Sequence, residues 1–81
     1  MNLLMNAERM FENLGYAKQV YDDFIVYVKG NYIMFHVIEF HLKNKIVQSH
    51  REDCEIGNVI KSLTVDEFKA IEQQMKELGW L

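Results

Sequence analysis

The chain has 81 residues, 49% of them hydrophobic, with 9 basic against 12 acidic side chains and a formal net charge of −3. That length holds one domain, and the apolar fraction is too high for a disordered chain. Without a positive excess to neutralise phosphates, nucleic-acid binding is set aside.

Cys54 is the single cysteine, so no internal disulfide is available, and a lone thiol fits a reducing cytoplasm. A chain this short buries only about 60–65% of the surface its unfolded form exposes. Its one core is expected to leave roughly 3–5 kcal/mol of net stability. Small proteins supplement such a core with disulfides, a metal or oligomerisation, and oligomerisation is the supplement left.

Met1-Asn2-Leu3-Leu4-Met5 lacks the charged start and long apolar stretch of a signal peptide. No apolar run approaches the ~20 residues a membrane span needs. The longest, Tyr32 to Ile38, is interrupted by His36 and reads as strand. A cytoplasmic protein with no membrane partner is expected.

Asn6 is a fair N-cap for a first helix of about 9 residues, with Ala7, Met10, Phe11 and Leu14 recurring at helical period. Gly15 can close it in a left-handed conformation, with Tyr16 placed to pack back on Phe11. Asp22-Asp23 reads as a turn before the first strand. Phe24 to Val28 and Tyr32 to Phe40 are dense in β-branched and aromatic residues, and Gly30-Asn31 reads as a two-residue hairpin turn. The chain turns again at Lys43-Asn44-Lys45, and Ile46 to Ser49 returns as a third strand. Glu52 to Asn58 reads as a loop, and Val59-Ile60 as a short fourth strand.

Thr64-Val65-Asp66-Glu67 then forms a capping box, flanked by a Leu63–Phe68 hydrophobic staple. The helix it opens presents Phe68, Ile71, Met75 and Leu78 as its buried stripe. Glu67, Lys69, Glu72, Gln73, Lys76 and Glu77 face mostly water. Gly79 stops the helix and lets Trp80 fold back onto Met75. The expected fold is therefore α+β: an antiparallel meander of three or four strands between an N-terminal and a C-terminal helix.

A tight turn at Gly30-Asn31 would pair Tyr27 with Met34, Val26 with Phe35, Ile25 with His36 and Phe24 with Val37. One face of the hairpin then carries Ile25, Tyr27, Tyr32, Met34, Ile38, Phe40 and Leu42. The other carries Phe24, Val26, Val28, Ile33, Phe35 and Val37, turning polar at Glu39, His41 and Lys43. A hairpin with one side in water should alternate apolar with polar, and near its tip this one does not. A β-bulge near His36 would switch phase and send all these residues to one core. Helices on opposite faces would cover both sides. Or both helices cover one face and a partner, most simply a second copy, covers the other. The last is favoured, because a bare patch of such residues would be an aggregation site. It makes Phe24, Val26, Val28, Ile33, Phe35 and Val37 the expected protein interface.

Chemistry is sparse. His36, Glu39 and His41 have the side chains of metal ligands, but on a strand His36 points away from the other two. His50 could join Glu39 and His41 only in a suitable register. Cys54 sits in an acidic loop, the wrong surroundings for a reactive thiolate. The pairs Asp22-Asp23 and Glu52-Asp53 have no cleft to flank, and the four glycines form no phosphate cradle. Lys29, Lys43, Lys45, Arg51 and Lys61 read as solvating charges scattered near turns. No cofactor, no metal and no enzymatic activity are expected.

The two termini resemble a group of small phage- and prophage-encoded proteins of Gram-positive, Firmicutes-type bacteria. The resemblance rests on Met10-Phe11-Glu12-Asn13-Leu14-Gly15-Tyr16, on Leu63 to Ile71, and on Met75-Lys76-Glu77-Leu78-Gly79-Trp80. In the strands it fades to the Ile25-x-Tyr27 and Ile38-x-Phe40 pattern. It implies an accessory protein in a bacterial cytoplasm and carries no functional residue with it. The expected function is a homodimeric module that binds a protein. The alternative is an inhibitor of a host defence or nucleic-acid enzyme, its mild acidity suiting a basic groove.

Overall fold

The computed structural model describes residues 5–81; Met1 to Leu4, read above for a leader, lie outside them. The elements are α1 (Ala7–Asn13), β1 (Ala17–Val20), β2 (Phe24–Gly30), β3 (Met34–His41), β4 (Ile46–Asp53), β5 (Gly57–Ile60) and α2 (Val65–Glu77). The strands pair in chain order as one antiparallel five-stranded meander with a helix at each end of the sequence. The α+β class and the terminal helices are as expected, with one strand more. No helix among the described residues is long and apolar enough to cross a membrane.

Local signals explain both helices. The Asn6 carboxamide accepts the Arg9 amide at 2.8 Å. At the other end of α1, Gly15 takes φ +94°, and the amides of Gly15 and Tyr16 bond back to the carbonyls of Glu12 and Phe11. Tyr16 meets Phe11 edge-on with ring centroids 5.5 Å apart. Seven residues are too few to hold a helix in water alone, and α1 is held by burying Ala7 and Phe11 completely. Its first amide, Ala7 N–H, donates to Glu77 of α2 at 2.8 Å, which ties the two helices together.

The capping box of α2 is complete in both directions, Thr64 to Glu67 and back, and Trp80 N–H returns to the Met75 carbonyl at 2.8 Å. The buried stripe is rotated from the expected one. Phe68 is 58% exposed, while Glu67, expected in water, is 2% exposed beside Ala70, Ile71 and Gln74. The sheet decides this rotation. Tyr27 reaches up to donate its hydroxyl to Gln74, and Tyr16 donates to Glu67, so the polar side chains of α2 find partners underneath the helix.

The first hairpin also corrects the expectation. Its tip is Asn31 to Ile33, not a two-residue turn: the Asn31 carboxamide accepts the amides of Ile33 and Met34 at 2.9 and 3.0 Å and folds the chain locally. Gly30 ends β2 at φ +120°, where an added Cβ would stand 2.5 Å from the Met34 carbonyl oxygen. Tyr27 consequently faces Ile38, Val26 faces Glu39, Ile25 faces Phe40 and Phe24 faces His41. Each partner lies four residues beyond the expected one, an even slip, so every strand side chain keeps its face. Only the tip changes, leaving Tyr32 and Ile33 at 89% and 51% exposure.

The expected loop from Glu52 to Asn58 shrinks to residues 54–56, because Asp53 stays in β4 and its carboxylate accepts the amides of Glu55 and Ile56. β1 was unforeseen; it forms by pairing along the outer edge of β2, Ala17 opposite Val28 and Val20 opposite Ile25.

Both helices lie on one side of the sheet. Phe11, Tyr16, Ile25, Tyr27, Ile38, Phe40, Ala70 and Ile71 form one core cluster, with Leu42, Val47, Met75, Leu78 and Trp80 against it. The pairing of β2 with β3 runs unbroken from Phe24↔His41 to Gly30↔Phe35. A bulge near His36 and helices on opposite faces are thereby both excluded as explanations for the two-sided hairpin.

Candidate functional site

The second face of the sheet has no helix over it among the described residues. The registers lay its side chains out in rows across the strands. One row is Phe24, His41 and Ile46. The next is Gln19, Val26, Glu39 and Gln48, and then come Ala17, Val28, Val37, His50 and Ile60. The last holds Phe35, Glu52 and Asn58. Of the six residues expected to share this face, Phe24, Val26, Val28, Phe35 and Val37 do so. Ile33 does not, since it stands at the hairpin tip.

Val26, Val28 and Val37 stand together on the face, with Glu39, Gln48 and His50 beside them in the same rows. Val26 and Val37 keep only 6% and 5% exposure, yet belong to no part of the helix-side core. Side chains opposite them on the adjacent strands, about 5 Å away, screen them: Gln19 and Glu39 beside Val26, Val28 and His50 beside Val37. Phe24, Val28 and Phe35 are half-buried, and Ile46 and Ile60 are exposed, Ile60 at 95%. An aromatic ladder closes one end: Tyr21 stacks on Phe24 at 4.8 Å, and Phe24 stacks on His41 at 5.8 Å. Tyr21, Ile46 and Ile60 were missed from sequence. Only the register reveals that Ile46 lies opposite His41 and Ile60 opposite His50.

Polar groups on this face pair within strands. His41 lies 3.3 Å from Glu39, and His50 lies 3.9 Å from Glu52. His36 stands on the other face, as strand alternation requires, and His50 is set opposite Val37, not beside Glu39 and His41. Among the described residues no three His, Cys, Asp or Glu side chains are grouped closely enough to hold a metal ion. Cys54 is exposed in the β4–β5 turn. Glu52 and Asp53 are consecutive in a strand, so their carboxylates leave on opposite faces.

The helix side holds the most perturbed groups. Glu67 accepts from Tyr16 at 2.5 Å, from Lys61 at 3.0 Å and from the Thr64 amide at 2.9 Å. Burial pushes its carboxyl up, but these hydrogen bonds and the Lys61 charge outweigh it and hold the pKa at about 2. Burial, then the bond to Glu67 and its charge, push the Tyr16 phenol far above its ordinary value. Such a saturated carboxylate has no free lone pair with which to take a substrate proton, so we read it as a structural tie between helix and sheet. A shallow groove of about 350 Å³ is lined by Met5, Met10, Asn13, Leu14, Asp66 and Lys69; no ion pair within 4.0 Å joins Asp66 to Lys69.

No protein-family model, curated protein or solved structure matches this chain.

Proposed function

We infer that this chain is a protein-interaction module whose open sheet face packs on the same face of a second copy. The observation that carries the reading is the helix-free face that bears Phe24, Val26, Val28, Phe35 and Val37. Apolar and aromatic side chains interspersed with polar ones are what protein interfaces carry, where aromatic residues are enriched. A second copy is the occupant we favour on area. Five strands spaced about 4.8 Å apart offer roughly 500 Å² per copy, so two copies bury roughly 1,000 Å², the lower bound for a specific contact. Face-to-face packing of two such sheets is the ordinary β-sandwich arrangement, which requires both inner faces to be apolar. Micromolar dimerisation is the expected strength at that area.

The wider setting we propose is a phage- or prophage-encoded accessory protein, acting on a host or phage protein in a bacterial cytoplasm. It is supported by the resemblance of the two termini, and the genes flanking its own test it.

Sedimentation equilibrium on the wild type, Phe35→Glu and Ile60→Glu, with circular dichroism as the check on folding, tests the dimer. A concentration-dependent wild-type dimer and folded monomeric variants are expected. Ile60 is so exposed that its substitution leaves the single chain folded, which keeps the test decisive if Phe35→Glu unfolds. A wild type that stays monomeric at high concentration, or a dimer indifferent to both substitutions, overturns the reading.

A further inference from the structure

On the helix side the sheet gathers basic residues that are far apart in sequence. Lys29 lies opposite His36, His36 opposite Arg51, and Arg51 opposite Val59. With neighbouring strands about 4.8 Å apart, three basic side chains stand in a line about 10 Å long. Lys61, from the segment leading into α2, joins them, its side chain 8% exposed. The expectation that these charges are scattered among turns is thus corrected for Lys29, Arg51 and Lys61, while Lys43 and Lys45 do lie in the β3–β4 turn.

The row is short of negative charge. Among the described residues Glu67 is the carboxylate within 4.0 Å of the row, and Tyr16, Lys61 and the Thr64 amide already occupy it, with Lys29 at 4.0 Å; Asp53, two residues beyond Arg51 on the same face, is turned to the amides of Glu55 and Ile56. Lys29, Arg51 and Lys61 against Glu67 and Asp53 leave a local excess of one positive charge in a chain whose net charge is −3. Among the described residues no carboxylate lies within 4.0 Å of the Arg51 guanidinium. Arg51 Nε and His36 Nδ1 are both shielded from water and lack a hydrogen-bond partner. A buried polar atom without a partner costs free energy. The His36 imidazole also reports the imbalance: burial first, then Lys61 and Lys29, hold its pKa below the ordinary value against the pull of Glu67.

The geometry points to an oxyanion site on this row, where Arg51 and His36, flanked by Lys29 and Lys61, take inorganic phosphate or the terminal phosphate of a small ester. A guanidinium presents a planar fork of donors that matches phosphate oxygens two at a time. The flanking ammonium groups add charge without demanding one geometry. Lys29 and Lys61 already donate to the Leu14 and Ser62 carbonyls and to Glu67; a bound phosphate offsets the local excess and gives Arg51 Nε and His36 Nδ1 the partner that the chain itself withholds. The site lies on the face opposite the proposed dimer contact, so the two readings stand or fall separately.

Nuclear magnetic resonance on ¹⁵N-labelled protein reads the site directly through Arg51 Nε–H and the His36 ring nitrogens. Inorganic phosphate, pyrophosphate, glycerol phosphate and sodium chloride are titrated at constant ionic strength. Saturable shifts at both residues are expected with the phosphates, with a dissociation constant on the order of 1 mM or tighter. Tighter binding of glycerol phosphate than of inorganic phosphate assigns the site to an ester, and the reverse assigns it to the free ion. Arg51→Lys, which keeps the charge and loses the fork, and Lys29→Gln should each weaken binding about tenfold. Phosphate shifts no more saturable than those from chloride overturn the proposal, as does undiminished binding in folded Arg51→Lys. The wild-type titration decides by itself if a variant fails to fold.

Discussion

On the helix-covered face Phe11 lies flat against Tyr27, ring centroids 3.8 Å apart, and no water reaches either ring. On the open face of the same strands Tyr21, Phe24 and His41 stack as a ladder at the edge of solvent. The residue types are alike, and the surroundings differ. Under the helices every large side chain meets a second layer. On the open face Val26 and Val37 are screened only by neighbours in their own sheet. Low exposure therefore has two origins in this molecule, a packed second layer on one side and lateral crowding on the other. Substitution distinguishes them, because a cavity under a second layer cannot collapse as an open face can.

The largest expected effect tests the covered face. Phe11→Ala should cost about 3–5 kcal/mol, as large aromatic truncations in packed cores do. A domain of this size has about that much in total, so circular dichroism at room temperature should show a mostly unfolded chain. A cooperative, near-native melt would mean that α1 contributes little to the core.

Glu67→Gln comes next, at about 1–3 kcal/mol in chemical denaturation, since Tyr16, Lys61 and the Thr64 amide lose a charged acceptor. The pH dependence has a definite sign. The folded carboxyl, at about 2, lies below its ordinary 4.5, so its contribution is complete above pH 4.5 and disappears as pH falls toward 2. Wild-type stability should decline through that window more steeply than that of Glu67→Gln. Parallel curves for the two proteins would remove Glu67 from the tie.

Gly30→Ala probes the hairpin tip that both faces share. The added Cβ would meet the Met34 carbonyl oxygen at 2.5 Å at a φ of +120°, a conformation whose strain is on the order of 1–3 kcal/mol. Gly57→Ala, with no atom within 4 Å of its Cβ, has only its own φ of +85° to oppose it and should cost less. Equal losses in thermal melts would place the tip elsewhere. The smallest effect belongs to Phe68→Ser, within about 0.5 kcal/mol because the ring is already in water. A loss comparable to that from Ile71→Ala would return Phe68 to the buried stripe.

Helix ends were legible because they are local chemistry. Asn6, Gly15, Thr64 with Glu67, and Gly79 act on amides and carbonyls within a few residues, and each does what its type and spacing imply. The two faces of the hairpin were legible because side chains alternate with a period of two, and an error of four residues in pairing preserves that alternation. Five of the six residues expected on the second face were therefore placed on it despite a wrong turn. β1 was not legible, because Ala17-Lys18-Gln19-Val20 has little pattern of its own and becomes a strand only against β2. Nor was the burial of Glu67, which depends on a phenol 51 residues away in the chain.

The amino-acid sequence by itself determined where the helices begin and end, that a meander lies between them, and which strand side chains travel together. Tertiary structure alone decided which face both helices cover, which way α2 is rolled upon it, and that Lys29, His36 and Arg51 stand in one row. The reason is range. Caps, turns and alternation act between residues a few positions apart, whereas burial and charge clustering are set by the register and packing of segments that meet only in the folded chain.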